Sequence, residues 1–445
     1  MDTSEKRKIT EAFLKVAGAY EDKVTAIRRD FHHYAETAWT EFRTTSKIIT
    51  FLKERGIEVH FGPEVINPQY VWSYPDAEVL AAHQKRAVSQ GADAALVDAM
   101  QGYTGAMAVI DSQKPGPTVA FRFDIDCNDV DESKETSHRP NREGFASVNP
   151  HCMHACGHDG HAAMGMVLAA VLQECRELWC GKVKILYQPS EEGDKGAQSM
   201  VEQGLLDDAD IVLSMHVFGT DGPYPAIAGT LTGLYATTKF DVYIEGKSAH
   251  AGAAPQEGNS AIMAAVHAIA GMQSFCQDGR GATRLNIGTI AGGTGRNVVA
   301  ENCFFRAETR GSTTGVEKRL YEAAIRSVKA SCELFGCSSK TRIMGYGPQG
   351  DGDADLASEI ALAVKAVPEV KTSYPLHQNT GGTDDFAYMM QHLQKQGKKA
   401  CYMGLLTKTA AGAHNGKFDF DESCLIVGVK SCLAVFAHYL EQQGR

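Results

Sequence analysis

Thr118-Val119-Ala120-Phe121-Arg122-Phe123-Asp124 decides the fold class. It reads as a buried strand with an acid at its carboxyl end, and after a long loop Met164, Val167, Leu168, Val171 and Leu172 follow at helical spacing. Further on, residues 183–187 have strand character, a helix-like stretch runs through Met200 and Val201, and residues 211–215 and 400–405 repeat the strand pattern. Strands separated by helical segments imply an α/β fold with a mostly parallel sheet covered on both faces. A chain of 445 residues exceeds one small core, so two domains are expected.

The pattern changes between Thr237 and Gly347. Residues 239–244 alternate polar and apolar, as a half-exposed strand does. A helix over 261–272 follows, then strands near 285–287 and 303–307 around the turn Gly292-Gly293-Thr294-Gly295. A helix over 316–334 and a strand over 341–344 complete a β-α-β-β-α-β order. The expectation is a smaller α+β domain, residues 237–347, inserted into a domain made of 1–236 and 348–445. Residues 76–101 form an extra helical excursion with no evident function.

Composition narrows the function. The formal charge is -10, from 44 basic and 54 acidic residues, and no Lys/Arg run is dense enough to track nucleic acid. No apolar stretch approaches the ~18 residues of a membrane span, and the charged start, Met1 to Lys8, carries no export signal. The twelve cysteines contain no Cys-x-x-Cys pair and lie in apolar segments, as reduced thiols in the cytoplasm would.

Four of the sixteen histidines fall in His151-Cys152-Met153-His154-Ala155-Cys156-Gly157-His158-Asp159-Gly160-His161. Cys156 and His158 share a side only on extended backbone, which Gly157 permits, and Asp159 is then placed to cap the following helix. A thiolate with an imidazole suits zinc, and imidazole also suits manganese or nickel. In Gln188-Pro189-Ser190-Glu191-Glu192-Gly193, adjacent side chains diverge, so one carboxylate can bind metal while its neighbour faces water. Alone, each would be an ordinary surface loop. Asp124, the Cys156 loop, Glu191, Glu192, His216 and the loop leading to His414 all follow expected strand ends, where open α/β sheets place their sites. Five protein ligands exceed the need of one tetrahedral ion with an open position, whereas two ions ~3.5–4 Å apart can share them. A Ser-His-Asp hydrolase lacks its Gly-x-Ser-x-Gly elbow here.

Arg28 to His32, Phe121 to Asp126, His154 to His161, Gln188 to Gly193, Gly246 to Gly252, Gly295 to Val299, Gly382 to Phe386 and His414 occur in the order seen in the aminoacylase/carboxypeptidase G family of dinuclear metallohydrolases. The chain resembles that family over nearly its whole length, closest to the amidohydrolase branch acting on hippurate and indoleacetyl amino acids. Phe31 to Glu36, Ser137 to Pro140, Gly144 to Ser147 and Gly295 to Val299 resemble the enzymes of that branch that cleave p-aminobenzoyl-glutamate to p-aminobenzoate and glutamate. The resemblance implies a dinuclear metallopeptidase-like catalytic domain with a lid/dimerisation domain, two divalent ions (Mn or Zn), metal ligands Cys156, His158, Glu192, His216 and His414, and Glu191 as general base. It implies that His250 reaches a partner's site, in a homodimer or in a heteromer with a related chain. Other aromatic N-acyl amino acids and short peptides remain alternative substrates, and a metal-binding subunit that turns over only beside a related chain is an alternative of another kind. Tyr34-Ala35-Glu36 stands where His-Pro-Glu is common, Cys127-Asn128 where Ala-Leu is, and Ser190 and Thr383 also depart from the usual residues. A leaving amino acid brings a carboxylate, for which Arg310, Arg296 and Asn297 are the candidates. Arg306, Glu308 and Arg310 alternate along one strand, which equally fits a surface charge ladder.

Overall fold

The computed structural model describes residues 3–378 and 381–443. In chain order its strands are β1 (Glu58–Phe61), β2 (Ala106–Asp111), β3 (Thr118–Asp124), β4 (Lys182–Gln188), β5 (Ile211–Gly219), β6 (Ala226–Thr232), β7 (Ala236–Glu245), β8 (Thr283–Gly292), β9 (Asn302–Gly311), β10 (Ser338–Gly347), β11 (Thr372–Gln378) and β12 (Lys399–Thr407).

Eight strands form one sheet in the order β1-β2-β4-β3-β5-β12-β6-β11. Its centre, β4-β3-β5-β12, is parallel throughout, with Asp124 beside Gln188 and Phe121 beside Leu213. Antiparallel pairings join β1 to β2, β2 to β4 and β6 to β12. The outer strands β1, β2, β6 and β11 were not foreseen; β1 has only four residues and β11 is largely exposed, so neither carries a long apolar run. The central strands bury both faces. Phe121, Ile185 and Leu213 enter one core, while Ala120, Leu186 and Val212 enter the other. Each large apolar side chain so buried contributes roughly 1.5–3 kcal/mol.

The chain leaves β3 to form β4 on one side and then crosses to β5 on the other. This reversal opens a crevice beyond the carboxyl ends of β3, β4 and β5, where α/β sheets bind ligands. The helix His158–Glu174 makes the first crossover and is buried from residue 158 to 172, which explains its apolar character all round. Gly165 lets it lie against the sheet: a Cβ there would sit 2.7 Å from the Phe123 ring.

Strands β7 to β10 make a separate antiparallel sheet, order β10-β7-β9-β8, with helices Ala261–Ser274 and Thr314–Leu334 packed against its apolar residues. The observed sequence of elements is β-α-β-β-α-β, as expected. Ser260 and Thr313 cap the two helices by accepting from the Met263 and Val316 amides, at 3.3 and 3.2 Å, contacts worth ~1 kcal/mol each. Within 76–101 lie two helices, Ala77–Ser89 and Ala94–Ala99. Among the described residues no helix is long and apolar enough to cross a membrane.

Candidate metal centre

The loop before the helix His158–Glu174 turns at Gly157, whose φ of 96° is left-handed. The helix starts at His158 itself, two residues earlier than a cap at Asp159 would require. Asp159 therefore lies inside the first turn. Its Oδ1 accepts the Gly160 amide, while Oδ2 takes Arg28 Nε and His32 Nδ1, both at 2.8 Å. Arg28 also donates to Glu422 at 2.9 Å and Asp419 at 3.0 Å, so a buried ion network ties this turn to the end of the chain.

Two histidines are oriented by the partners of their Nδ1 atoms. His158 Nδ1 donates to the Asp126 carbonyl at 2.9 Å and His216 Nδ1 to the Val217 carbonyl at 2.8 Å. Both therefore turn the lone pair of Nε2 inward, the tautomer a metal ligand needs. His216 Nε2 lies 3.5 Å from Cys156 Sγ, and His414 Nε2 lies 3.5 Å from Glu192 Oε1. His158 Nε2 is 3.9 Å from a carboxylate oxygen of each of Glu191 and Glu192.

Three overlapping groups, Cys156/His158/His216, Cys156/Glu192/His414 and His158/Glu191/Glu192, each present ligand atoms within 4.8 Å of one another. His158 Nε2 and Glu192 Oε1 are buried without a hydrogen-bond partner. Unpaired buried lone pairs are costly, and together with a thiol and two further imidazoles they form a donor set that fits divalent cations.

Asp126 accepts the Glu191 amide on one oxygen at 3.0 Å and the Glu192 amide on the other at 2.9 Å. The turn is closed on its far side by Asp194, whose amide donates to the Glu191 carbonyl at 2.8 Å and whose carboxylate is ion-paired with Lys239 of β7. Burial, reinforced by Asp384 and Glu192, holds the Glu191 carboxyl well above the usual carboxylate range. Burial also pushes the Cys156 thiol up to about 11.

Beneath the ligands, fully buried Arg122 donates to Gln188 at 2.8 Å and Asp124 at 2.6 Å, and it pairs with Asp384 and Asp385. Asp124 Oδ1 accepts from His161 Nδ1 at 2.5 Å, and His161 Nε2 accepts the Val217 amide at 2.9 Å. This chain sets the backbone beside His216. Burial alone would raise Asp124, but His158, Arg122 and His161 outweigh it and hold its carboxyl well below the usual range. Asp126, His161, Arg122, Asp384 and Asp385 lie in the quoted motifs, yet residue type alone gave them no role.

The groups open into a cavity of about 320 Å³ lined by Cys156, Glu191, Glu192, His216, Phe218, Lys239, Arg310, Thr383, Tyr402 and His414. Arg310 thus faces the site. It pairs with Glu308 at 3.2 Å and donates to the Gly381 carbonyl at 3.1 Å. His250, Arg296 and Asn297 do not line this cavity. They lie together on the surface, where His250 bridges Val298 and the Asn297 carbonyl accepts the Ala251 amide at 3.0 Å.

The fold and this site define a metal-dependent amidohydrolase. Residues 120–438 match the model of peptidase family M20/M25/M40, and the chain belongs to that family. It is 37% identical to one of the subunits of p-aminobenzoyl-glutamate hydrolase from Escherichia coli (strain K12), over 92% of this chain and 94% of that protein. To the indole-3-acetyl-aspartic acid hydrolase of Enterobacter agglomerans it is 36% identical, over 95% of this chain and 97% of that one. The crystal structure of the aminobenzoyl-glutamate utilization protein from Klebsiella pneumoniae superposes with a TM-score of 0.80 at 30% identity, covering 95% of this chain and 97% of that one.

Proposed function

We propose that the chain hydrolyses the amide of N-acyl amino acids, with p-aminobenzoyl-glutamate, cut to p-aminobenzoate and glutamate, as its first substrate. The observation that carries this reading is the spare carboxylate of Glu191 beside a converging thiol, imidazole and carboxylate set, in a cavity that also holds Arg310. Cys156, His158, Glu192, His216 and His414 would hold two divalent ions, Mn or Zn. Bound there, the ions supply a water of lowered pKa and polarise the scissile carbonyl. Glu191 removes the proton from the attacking water and returns it to the leaving amine, so one carboxylate serves twice. Burial and the neighbouring carboxylates of Asp384 and Glu192 raise its carboxyl, which favours taking up that proton. Arg310 pairs with the carboxylate of the leaving amino acid through its planar fork. Two relatives are named for amides of dicarboxylic amino acids, aspartate and glutamate, and Lys239 gives the cavity a second cation beside Arg310.

In this reading residues 1–236 and 348–445 form the catalytic domain and 237–347 the lid and dimerisation domain. His250, with Asn297 and Arg296 nearby, completes the site of a second copy by donating to the oxyanion. Exposed Met263, Val266, Ile290 and Val298 on the inserted domain support a homodimer contact there. The twelve free thiols support a cytoplasmic setting.

One observation favours a second reading: the name of the E. coli relative makes it part of a larger enzyme, so this chain would turn over substrate only beside a related one. The purified chain, loaded with Mn²⁺ or Zn²⁺, is to be assayed against p-aminobenzoyl-glutamate, indoleacetyl-aspartate, hippurate and a dipeptide. The expected result is release of p-aminobenzoate, abolished by a chelator and restored by metal. Tight metal binding without turnover on any substrate would favour the second reading, and hippurate or dipeptide as the best substrate would move the specificity.

A further inference from the structure

Cys127 and Cys152 stand apart from the other thiols. Asn128 and Met153 are paired antiparallel through two amide hydrogen bonds of 3.0 and 3.2 Å. Their neighbours Cys127 and Cys152 therefore point together to the opposite face. There they make a small buried cluster with Ala35, and the Cys127 thiol donates to the Asn128 carbonyl at 3.6 Å. The helix Ala77–Ser89, part of the otherwise unexplained excursion, brings Arg86 near enough for its charge to favour ionisation of Cys152. The Arg86 Nε is buried without a partner, and Nη2 donates to His83 at 2.9 Å. Cys127 and Arg86 lower the Cys152 thiol against burial and Asp129, whereas burial pushes Cys401, Cys424 and Cys432 up to about 12. A thiol whose ionisation a neighbouring cation favours, packed with a second thiol in one cluster, is the environment of a cysteine that small oxidants such as peroxide select.

We propose that Cys127 and Cys152 are a modification site: a thiol pair that hydrogen peroxide closes reversibly to a disulfide. The Cys152 thiolate attacks the peroxide O–O bond and gains a hydroxyl, and the departing hydroxide takes up a proton to become water. Cys127 then attacks that sulfur. The S–S bond forms as the S–O bond breaks, and the oxygen leaves as water with the Cys127 proton. The two thiols lose two electrons and two protons, and peroxide becomes two waters. The bond spans the two loops that carry Asp126 and Cys156, so it sits against the metal centre without using any of its ligands.

The test treats the metal-loaded protein with a few equivalents of peroxide, blocks remaining thiols, and maps proteolytic peptides by mass spectrometry without reductant. The expected product is a peptide pair linked through Cys127 and Cys152, undone by dithiothreitol, while Cys332 and Cys337, which lie near each other without an adjacent cation, stay alkylatable. Arg86→Gln should slow closure about 3- to 10-fold. Cys152→Ser should abolish the linkage and leave turnover intact. Cys127 and Cys152 both remaining free while other thiols oxidise would overturn the proposal, as would irreversible oxidation of Cys152 with no linked stage. The readout is thiol chemistry, so either result leaves the hydrolase reading untouched.

Discussion

The floor and the rim of this site are built on opposite plans. In the floor Arg122, Asp124, Asp384, Asp385 and His161 are buried, and each is held by its own chain through at least one charge-assisted contact. At the inserted domain's surface His250, Arg296 and Asn297 are exposed, and the His250 ring accepts on Nδ1 the Gly252 and Ala253 amides of its own loop. A group ordered from within the chain can be preorganised for chemistry. A group left in water is positioned only when another surface arrives. On the proposed function, the difference separates what one chain completes from what a second copy would supply.

The largest effect is expected in the floor-supported half. Glu191→Gln keeps the shape and the Asp126 contact to its amide, so it should retain roughly two metals per chain, as measured by elemental analysis, while turnover falls ~10²- to 10⁴-fold. Normal turnover would remove Glu191 from the mechanism.

His250→Ala should also be nearly inactive, and mixing sharpens the comparison. If His250 acts across a dimer, co-refolding it with Glu191→Gln in equal amounts regenerates one complete site in each mixed dimer, or roughly a quarter of wild-type activity under random pairing. If it acts within its own chain, mixing restores nothing.

A smaller effect is expected at Arg310, which belongs to the inserted sheet yet faces the cavity. Arg310→Ala should raise KM for an N-acyl glutamate about 10- to 100-fold with a lesser change in kcat, the cost of one charge-assisted pair. An unchanged KM would return Arg310 to the charge ladder it makes with Glu308.

Much of this division was legible in the chain and some was not, for physical reasons. The central strands and the Cys156–His158 turn are local patterns: periodicity and one glycine specify them, and their expected ligands come together. Arg28 with Asp159 and Glu422 is different, because its partners lie 131 and 394 residues away and only the folded chain brings them together. That network draws Asp159 away from the cap expected of it. The edge strands β1 and β11 are half-exposed and mark themselves weakly in sequence. The role expected of His250 comes from the family resemblance, and Asn297 is a candidate by its amide chemistry; neither residue type carries information about which surface it meets.

The smallest effect tests how far the floor is preorganised at a cost in stability. Glu41 is fully buried; its Oε1 accepts the Ser190 amide at 2.8 Å and Oε2 accepts the Thr104 hydroxyl at 2.6 Å, so it steadies the turn that carries Glu191. Burial, then Asp126, pushes its carboxyl up from 4.5 to about 8. A carboxyl raised in the folded state favours folding fully below its unfolded pKa and loses that contribution as pH climbs through the folded one. Wild-type stability should therefore decline between about pH 4.5 and 8 through this group. Glu41→Gln keeps an acceptor for Ser190 and has no charge to bury. It should melt with wild type at pH 5 and about 2–4 °C above it at pH 8, by scanning calorimetry of the metal-loaded protein. A constant difference across that range would mean that Glu41 ionises freely and that the floor beneath the turn is wetter than its burial implies.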